Sequence, residues 1–402
     1  NNDNISLINK IKNIINDKIN NIENSEYIKA FILGDKSNID IKDYNNFKSL
    51  GITHLFAISG MHITLFSSTI LFILNKLKKN KNLSIIISLI ILFIYALLCN
   101  FPASIKRAYT LYFLLSINSM FKLNIKVLFL LILTISINIF IDPFVIFDIG
   151  FLYSISTCFG LILSSGKLNK NNYVINLFMT SLIAYLFSLP ITINNNFEIN
   201  LLSPINNIFI VPLISFIIYP LSILTFIFPI LSIIFSFFIK LLLSINFILI
   251  KINIFNISMA KMSFYLIIIY YLSLYLSLFK SKKLFIIIIL LFIFNNNKIL
   301  FDDNYYVYYF DVNQGDSSLI ITPYKNQVYM IDTGGITQEN KEDWKKRNTN
   351  YNISDNIILF LKSIGINKID NLIITHGDFD HMGWSTNLVN NFKVEKVIFN
   401  CG

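Results

Sequence analysis

Between residues 51 and 299 the chain alternates apolar stretches with short polar turns. The stretches run near 51–75, 83–99, 102–121, 125–141, 147–166, 173–194, 204–227, 230–250, 262–279 and 284–299. A helix that crosses a bilayer needs about 20 apolar residues. The pattern therefore predicts about ten membrane spans. Upstream, Ile8, Ile11, Ile15, Ile19 and Ile22 recur at spacings of three and four, with Lys and Asn between them. That periodicity predicts an amphipathic helix over 5–22, lying on a membrane surface or packing on a neighbour. From Tyr305 the period changes. Residues 305–312, 317–322 and 327–331 read as strands, 355–363 as a helix and 370–375 as a further strand. Three segments follow: 1–50, 51–299 and 305–402.

Composition supports this division. The chain is 54% hydrophobic and only 14% charged, whereas a soluble domain is about a quarter charged. The formal charge of +10 sits largely in alternate loops. These hold Lys76, Lys78, Lys79 and Lys81, then Lys122 and Lys126, then Lys167 and Lys170, then Lys280, Lys282 and Lys283. The opposite loops carry Asp142, Glu198, Lys251 and Lys261. Positive loops stay in the cytoplasm, so ten spans place both termini outside it. Cys99, Cys158 and Cys401 lie far apart and make neither a disulfide framework nor a zinc knuckle. Heavy use of Asn, Ile and Lys reads as coding bias. The chain opens on Asn without a secretory signal pattern, and a fragment of a longer protein is expected.

Two features interrupt the apolar pattern. Pro102, Pro190, Pro204, Pro212, Pro220 and Pro229 fall inside or beside spans, which predicts broken helices around a cavity, or simple kinks. Polar groups also enter the spans: His54, Ser59 and His62 in the first, with Gly60 allowing close approach of another backbone, and Lys106 and Arg107 in the third. An arginine at the centre of a span costs about 2.5–3.5 kcal/mol. One reading is a cationic lining for a polyanion; the other is an interfacial anchor.

These residues carry a resemblance. Residues 27–62, with Leu33-Gly34-Asp35 followed by Ala57-Ile58-Ser59-Gly60-Met61-His62, resemble the ComEC competence domain. Pro102 to Ala108 is similar to its Pro-x-x-x-x-Arg-Ala element. Asp148-Ile149-Gly150-Phe151 resembles its Asp-x-Gly-Phe segment, and Asn206, Asn207 and Pro212 resemble its Asn-rich turn before proline. The resemblance implies transport of single-stranded DNA across the cytoplasmic membrane during natural transformation. Its implied partners are single-stranded DNA, the membrane, a DNA receptor and a cytoplasmic helicase. Nothing resembles the family's N-terminal oligonucleotide-binding-type domain, so a truncated chain or a short variant is expected.

The last segment carries a second constellation. Asp332-Thr333-Gly334-Gly335 makes a sharp turn after the third strand, and the strand over 370–375 delivers His376, Asp378, Asp380 and His381 within six residues. Imidazoles and carboxylates at this spacing suit zinc, manganese or iron. The run resembles the metallo-β-lactamase signature His-x-His-x-Asp-His, with Asp378 in place of the middle His, which makes the site harder and more favourable to manganese. By that match, His376 and Asp378 would bind one ion, and Asp380 and His381 the other. Asp380 would also hold or deprotonate the attacking water, and Asp332 would orient the signature loop. Asp311 and Asp316 read as ordinary turn acids. No histidine follows His381, so two-metal chemistry is expected of a full-length parent, a phosphodiesterase or DNA nuclease, and not of this chain alone. The expected fold is a polytopic α-helical membrane protein followed by a truncated α/β metallo-β-lactamase-like (αββα) domain outside the cytoplasm. Two other readings remain open: a membrane-anchored metallo-hydrolase of small phosphoesters or lipids with no DNA channel, and a transporter of another solute.

Overall fold

The structure is a computed structural model, and it describes residues 7–56, 60–167, 172–252, 256–312, 315–335 and 353–400. Each of the ten apolar stretches is helical. Two compact units divide the chain: Asn1–Ile191 with Asn200–Asn256, and Thr192–Ile199 with Ile257–Gly402.

The first unit opens with three short helices, α1 (Leu7–Asn20), α2 (Ser25–Ile32) and α3 (Ile41–Ser49). Their apolar faces share one core with the later spans. Ile19, Ile22, Phe31 and Phe47 pack with Ile210, Ile218, Phe235 and Ile239. The stripe seen in the sequence is covered unevenly: Ile19 and Ile22 are buried and Ile15 is half-buried, whereas Ile11 is 40% exposed. Asp40 caps α3 by accepting from the backbone N–H of Lys42 and Asp43.

The helices of the apolar stretches follow as α4 (Gly60–Lys76), α5 (Lys81–Leu98), α6 (Ala103–Met120), α7 (Val127–Ile141), α8 (Ile149–Ser164), α9 (Tyr173–Asn196), α10 (Ser203–Pro212), α11 (Tyr219–Ile227) and α12 (Ser232–Ile252). Six helical runs in the chain are long and apolar enough to cross a membrane by length and composition: Thr53–Lys76, Lys81–Leu98, Tyr173–Asn196, Ser203–Ile227, Pro229–Lys251 and Lys282–Phe301. Val127–Ile141, Ile149–Ser164 and Phe264–Phe279 are apolar but shorter. Large apolar side chains stand outward along these helices, with Phe140 at 90% and Ile230 at 83% exposure. Such a surface is stable against acyl chains and not against water. The chain is a multi-pass membrane protein.

Pro220 continues the helical run from the π-turn into α11, whereas three other prolines begin structure: Pro102 precedes α6, Pro204 opens α10 and Pro229 opens a 3-10 turn. A proline there loses no helical hydrogen bond. Pro190 lies inside α9 and Pro212 inside α10. Between α10 and α11 the backbone widens into a π-turn over Leu213–Ile218, closed by the Tyr219 N–H donating to the Ile214 carbonyl. Neither Pro212 nor Pro220 can donate from its nitrogen, so ordinary α bonding fails on both sides of this turn. The run from Ser203 to Ile227 is thus one span with a wide turn and not two broken halves.

The second unit joins a membrane hairpin to a sheet. The hairpin is α13 (Phe264–Phe279) and α14 (Phe285–Asn297), turning through Lys280, Lys282 and Lys283. Its other end is clamped by asparagines. Asn194 donates to the Met262 carbonyl at 3.1 Å and accepts from the Met262 N–H at 2.7 Å. Asn295 donates to the Ala260 carbonyl, and the Asn296 side chain accepts from the Ala260 N–H. The sheet segment meets this same end. The Lys261 N–H donates to the Ser363 carbonyl at 2.8 Å, and Lys362 pairs with Glu198.

Two short strands, β1 (Glu198–Asn200) and β2 (Asn256–Ser258), pair with each other. The main sheet has the order β3 (Tyr306–Tyr309), β4 (Ser318–Ile321), β5 (Val328–Ile331), β6 (Ile369–Ile374) and β7 (Val394–Phe399). The first three are antiparallel; β5, β6 and β7 are parallel. Parallel neighbours need a crossover, and α15 (Ile353–Ser363) lies between β5 and β6 in the chain. Beyond β6 come α16 (Phe379–Met382) and α17 (Ser385–Asn391). Leu319, Ile321, Val328, Met330, Leu372 and Ile374 bury one face of the sheet against Ile357, Leu361 and Leu388.

Replacing Asn194 with Ala removes two hydrogen bonds and leaves the Met262 backbone without its partners. The expected loss is about 1–3 kcal/mol, read as a lower unfolding temperature of the detergent-solubilised protein, with Asn195→Ala as the unaffected control.

Candidate metal centre and buried membrane cation

Strands β5 and β6 run side by side and end at the same place. The first delivers Asp332, the second Thr375 and His376. Crevices at the carboxyl ends of parallel strands are where such sheets hold ligands. The Asp332 N–H donates to the Ile373 carbonyl at 2.8 Å, tying the turn to β6. The residue sits at φ 54°, a left-handed conformation that costs a non-glycine residue about 1–2 kcal/mol.

That conformation aims the carboxylate inward, with its side chain only 4% exposed. It accepts from the Thr375 N–H at 2.8 Å, from the Thr375 hydroxyl at 2.6 Å and from His381 Nδ1 at 2.9 Å. The hydrogen bond with Asp332, reinforced by the charges of Asp332, Asp380 and Asp316, raises the pKa of His381. With Nδ1 donating to Asp332, the Nε2 lone pair is the ligand atom His381 offers.

Glycines bring the two loops into contact. A Cβ on Gly335 would overlap the Phe379 carbonyl oxygen, and one on Gly315 would overlap the Asp380 carbonyl oxygen. The Thr333 N–H donates to the His381 carbonyl at 2.7 Å. The turn after β5 therefore holds α16 through backbone contacts that any side chain would block.

His376, Asp380 and His381 each offer one ligand atom, and these atoms lie within 4.8 Å of one another. The two imidazole rings are 3.8 Å apart. Asp378 stands outside this set. Its side chain is 77% exposed, with one oxygen 3.4 Å from His376 Nε2. Two imidazoles and a carboxylate, with a buried acid orienting one imidazole, fit a divalent transition metal that keeps further positions open.

The membrane residues divide. Arg107 on α6 is 2% exposed. Its Nη1 donates to Cys158 Sγ on α8 at 3.3 Å, and its Nε has no hydrogen-bond partner among the described residues. A Cβ on Gly60 would lie 3.1 Å from Arg107 Nη2, so the bare glycine gives the guanidinium its space. His62 is fully buried, 4.6 Å from the Tyr219 ring and 6.1 Å from Phe31. Residues two apart lie about 200° apart around a helix, so Gly60 and His62 serve different faces of α4. Lys106 is half-buried and His54 exposed, with His54 Nδ1 3.0 Å from the Gly51 carbonyl. Ser59 lies outside the described residues.

Sequence reasoning missed Thr375, Cys158, Phe31 and Tyr219. Position was the available signal for Thr375, which directly precedes His376. Cys158 had a weaker one, a polar run of Ser154, Ser156 and Thr157 around it in an apolar helix.

Comparison with known proteins agrees with this division. A family model described as Competence protein matches residues 31–284, and one described as Metallo-beta-lactamase superfamily matches residues 310–400. ComE operon protein 3 of Bacillus subtilis (strain 168) is 26% identical over 389 residues, covering 92% of this chain and 50% of the relative. The chain spans about half the length of that curated relative. No solved structure matches it.

Two substitutions test the centre through its metal content. Asp332→Ala is expected to weaken metal binding by about 10–100-fold, as loss of an orienting partner does. Asp378→Ala is expected to leave the content of purified protein unchanged. Equilibrium dialysis against zinc or manganese reads both.

Proposed function

The chain belongs to the competence protein family, and on that premise we propose that it forms a membrane conduit for single-stranded DNA during natural transformation. Arg107 carries this reading. A buried guanidinium is costly unless an anion compensates it. Between residues 60 and 301 the acidic residues are Asp142, Asp148 and Glu198. Asp142 and Asp148 flank the 3-10 turn Pro143–Phe147, and Glu198 lies on β1. None sits on a helix, whereas Lys106 and Arg107 lie near the start of α6, with Arg107 buried. Among the described residues the Arg107 side chain bonds to the neutral Cys158 thiol, and a phosphodiester passing through would supply the countercharge. Arg107 offers planar donors to its oxygens, without regard to base.

The attached domain fits metal-assisted phosphodiester hydrolysis, with zinc or manganese held by His376, Asp380 and His381. A divalent metal polarises a phosphoryl oxygen and lowers the pKa of bound water. Asp332 holds His381 in one tautomer, and the exposed Asp378 is placed to meet water or substrate at the mouth. The sheet segment meets the end of the α13–α14 hairpin opposite Lys280, Lys282 and Lys283. With that lysine turn in the cytoplasm, the domain faces outward. There it would act on the DNA strand that is not taken up. A DNA receptor outside and a helicase inside are the partners this direction of travel requires.

Uptake of labelled DNA by cells tests the conduit. Arg107→Ala should lower uptake at least about tenfold, the worth of one charge-assisted hydrogen bond, and Arg107→Lys should recover part of it. Wild-type uptake in Arg107→Ala would leave only the anchored hydrolase. A C-terminal epitope should be removed by protease added to intact cells; removal only after permeabilisation would reverse the orientation.

A further inference from the structure

Helix α12 carries a lysine at a depth that ordinary anchoring does not explain. Its span runs from Pro229 to Lys251, and Lys240 lies midway, about 16 Å from either end at 1.5 Å per residue. A lysine near a helix end reaches the interface by extending along its own methylenes; from the middle of a span it does not. Yet Lys240 is exposed.

It belongs to a continuous outward stripe. Ile233, Phe237, Lys240, Ser244, Phe247 and Lys251 recur at three and four residues, and all are exposed. Phe237 is 61% and Phe247 58% exposed. The Ser244 hydroxyl is turned back onto the Lys240 carbonyl at 2.8 Å, and the Lys251 ammonium lies 4.3 Å from the centre of the Phe247 ring. Cations thus alternate with aromatic faces along one side of the helix.

What covers this stripe follows from charge. Acyl chains cannot solvate an ammonium. A second copy of the chain has no carboxylate within a span to offer, and two copies meeting through α12 would oppose Lys240 to Lys240. A polyanion in water satisfies both requirements. Phosphates take an ammonium without sequence preference, and exposed aromatic rings accept bases by stacking.

We propose that the Lys240 face of α12 borders the aqueous path of the DNA strand, with the Lys240 ammonium on its phosphates and Phe237 and Phe247 beside its bases. The inference rests on the conduit reading and extends it to a second helix, α12.

Thiol accessibility in membrane vesicles tests it. Lys240→Cys is placed in a chain carrying Cys99→Ser, Cys158→Ser and Cys401→Ser, and exposed to a membrane-impermeant sulfonated thiol reagent. A companion chain keeps Cys158, beside Arg107, and loses the other two cysteines. The expected result is labelling at position 240 that single-stranded oligothymidylate suppresses. No labelling would mean that lipid or another helix covers the face, and would overturn the inference. Labelling that oligothymidylate leaves unchanged would overturn the DNA assignment. Protection of Cys158 without protection at 240 would sink this inference and leave the conduit standing. Protection at neither position would sink both. In cells, Lys240→Gln should lower uptake about tenfold and Lys240→Arg should restore it, as a charge contact predicts; equal uptake in all three would also overturn it.

Discussion

Hydrocarbon offers no partner to a polar group, and that constraint organises the membrane unit. Its hydroxyl side chains meet the demand locally. Thr110, Thr134 and Ser136 each donate to the carbonyl four residues back in their own helix, so they add no exposed polarity. Asparagines meet it over distance, as when Asn207 donates to Ser181 and Asn200 donates to the Ser49 carbonyl. A guanidinium has too many donors for either solution. Arg107 reaches a thiol and the space over a glycine, and its Nε has no partner among the described residues. Ser84, Ser164 and Thr225 are left without a partner among the described residues, as is Arg107 Nε, and of these only the guanidinium carries charge.

The sheet segment obeys the same rule on a smaller scale. Buried Asp332 accepts three hydrogen bonds, two from Thr375 at the end of β6 and one from His381 on α16, and so ties both to it. Backbone strain at this residue is compensated by that set of partners. The donors of His376, Asp380 and His381 then converge because the loops behind them are pinned, through glycine contacts that leave no room for a side chain.

Much of this was legible in the sequence. Runs near 20 apolar residues can be little other than spans, and all ten stretches are helical. The change of period at Tyr305 marks the sheet segment, and the cluster after β6 marks its site. Other features depend on tertiary partners that periodicity does not carry. The isoleucine stripe of α1 cannot say that Ile19 is covered and Ile11 is not. Prolines read as breaks because sequence does not reveal which carbonyls they leave unpaired. Asp378 and Asp380 looked equivalent within the signature; both carboxylates lie near an imidazole, but Asp380 groups with His376 and His381 while Asp378, at the start of α16, is far more exposed. Cys158 gave little sign of its role because its partner Arg107 lies on a different helix.

The wide turn over Leu213–Ile218 has a consequence for how the span tolerates change in length. A π-turn holds about one residue more per turn than an α-turn, so α10 and α11 are offset by one position along a common axis. Deleting a single residue there would let the backbone tighten toward α geometry, without the bonds that Pro212 and Pro220 cannot donate, while Ile210 and Tyr219 keep their places in the core. A deletion elsewhere in the span would rotate everything beyond it by about 100° and carry Tyr219 away from His62. The wide turn is the place where this helix can shed a residue and preserve its fit.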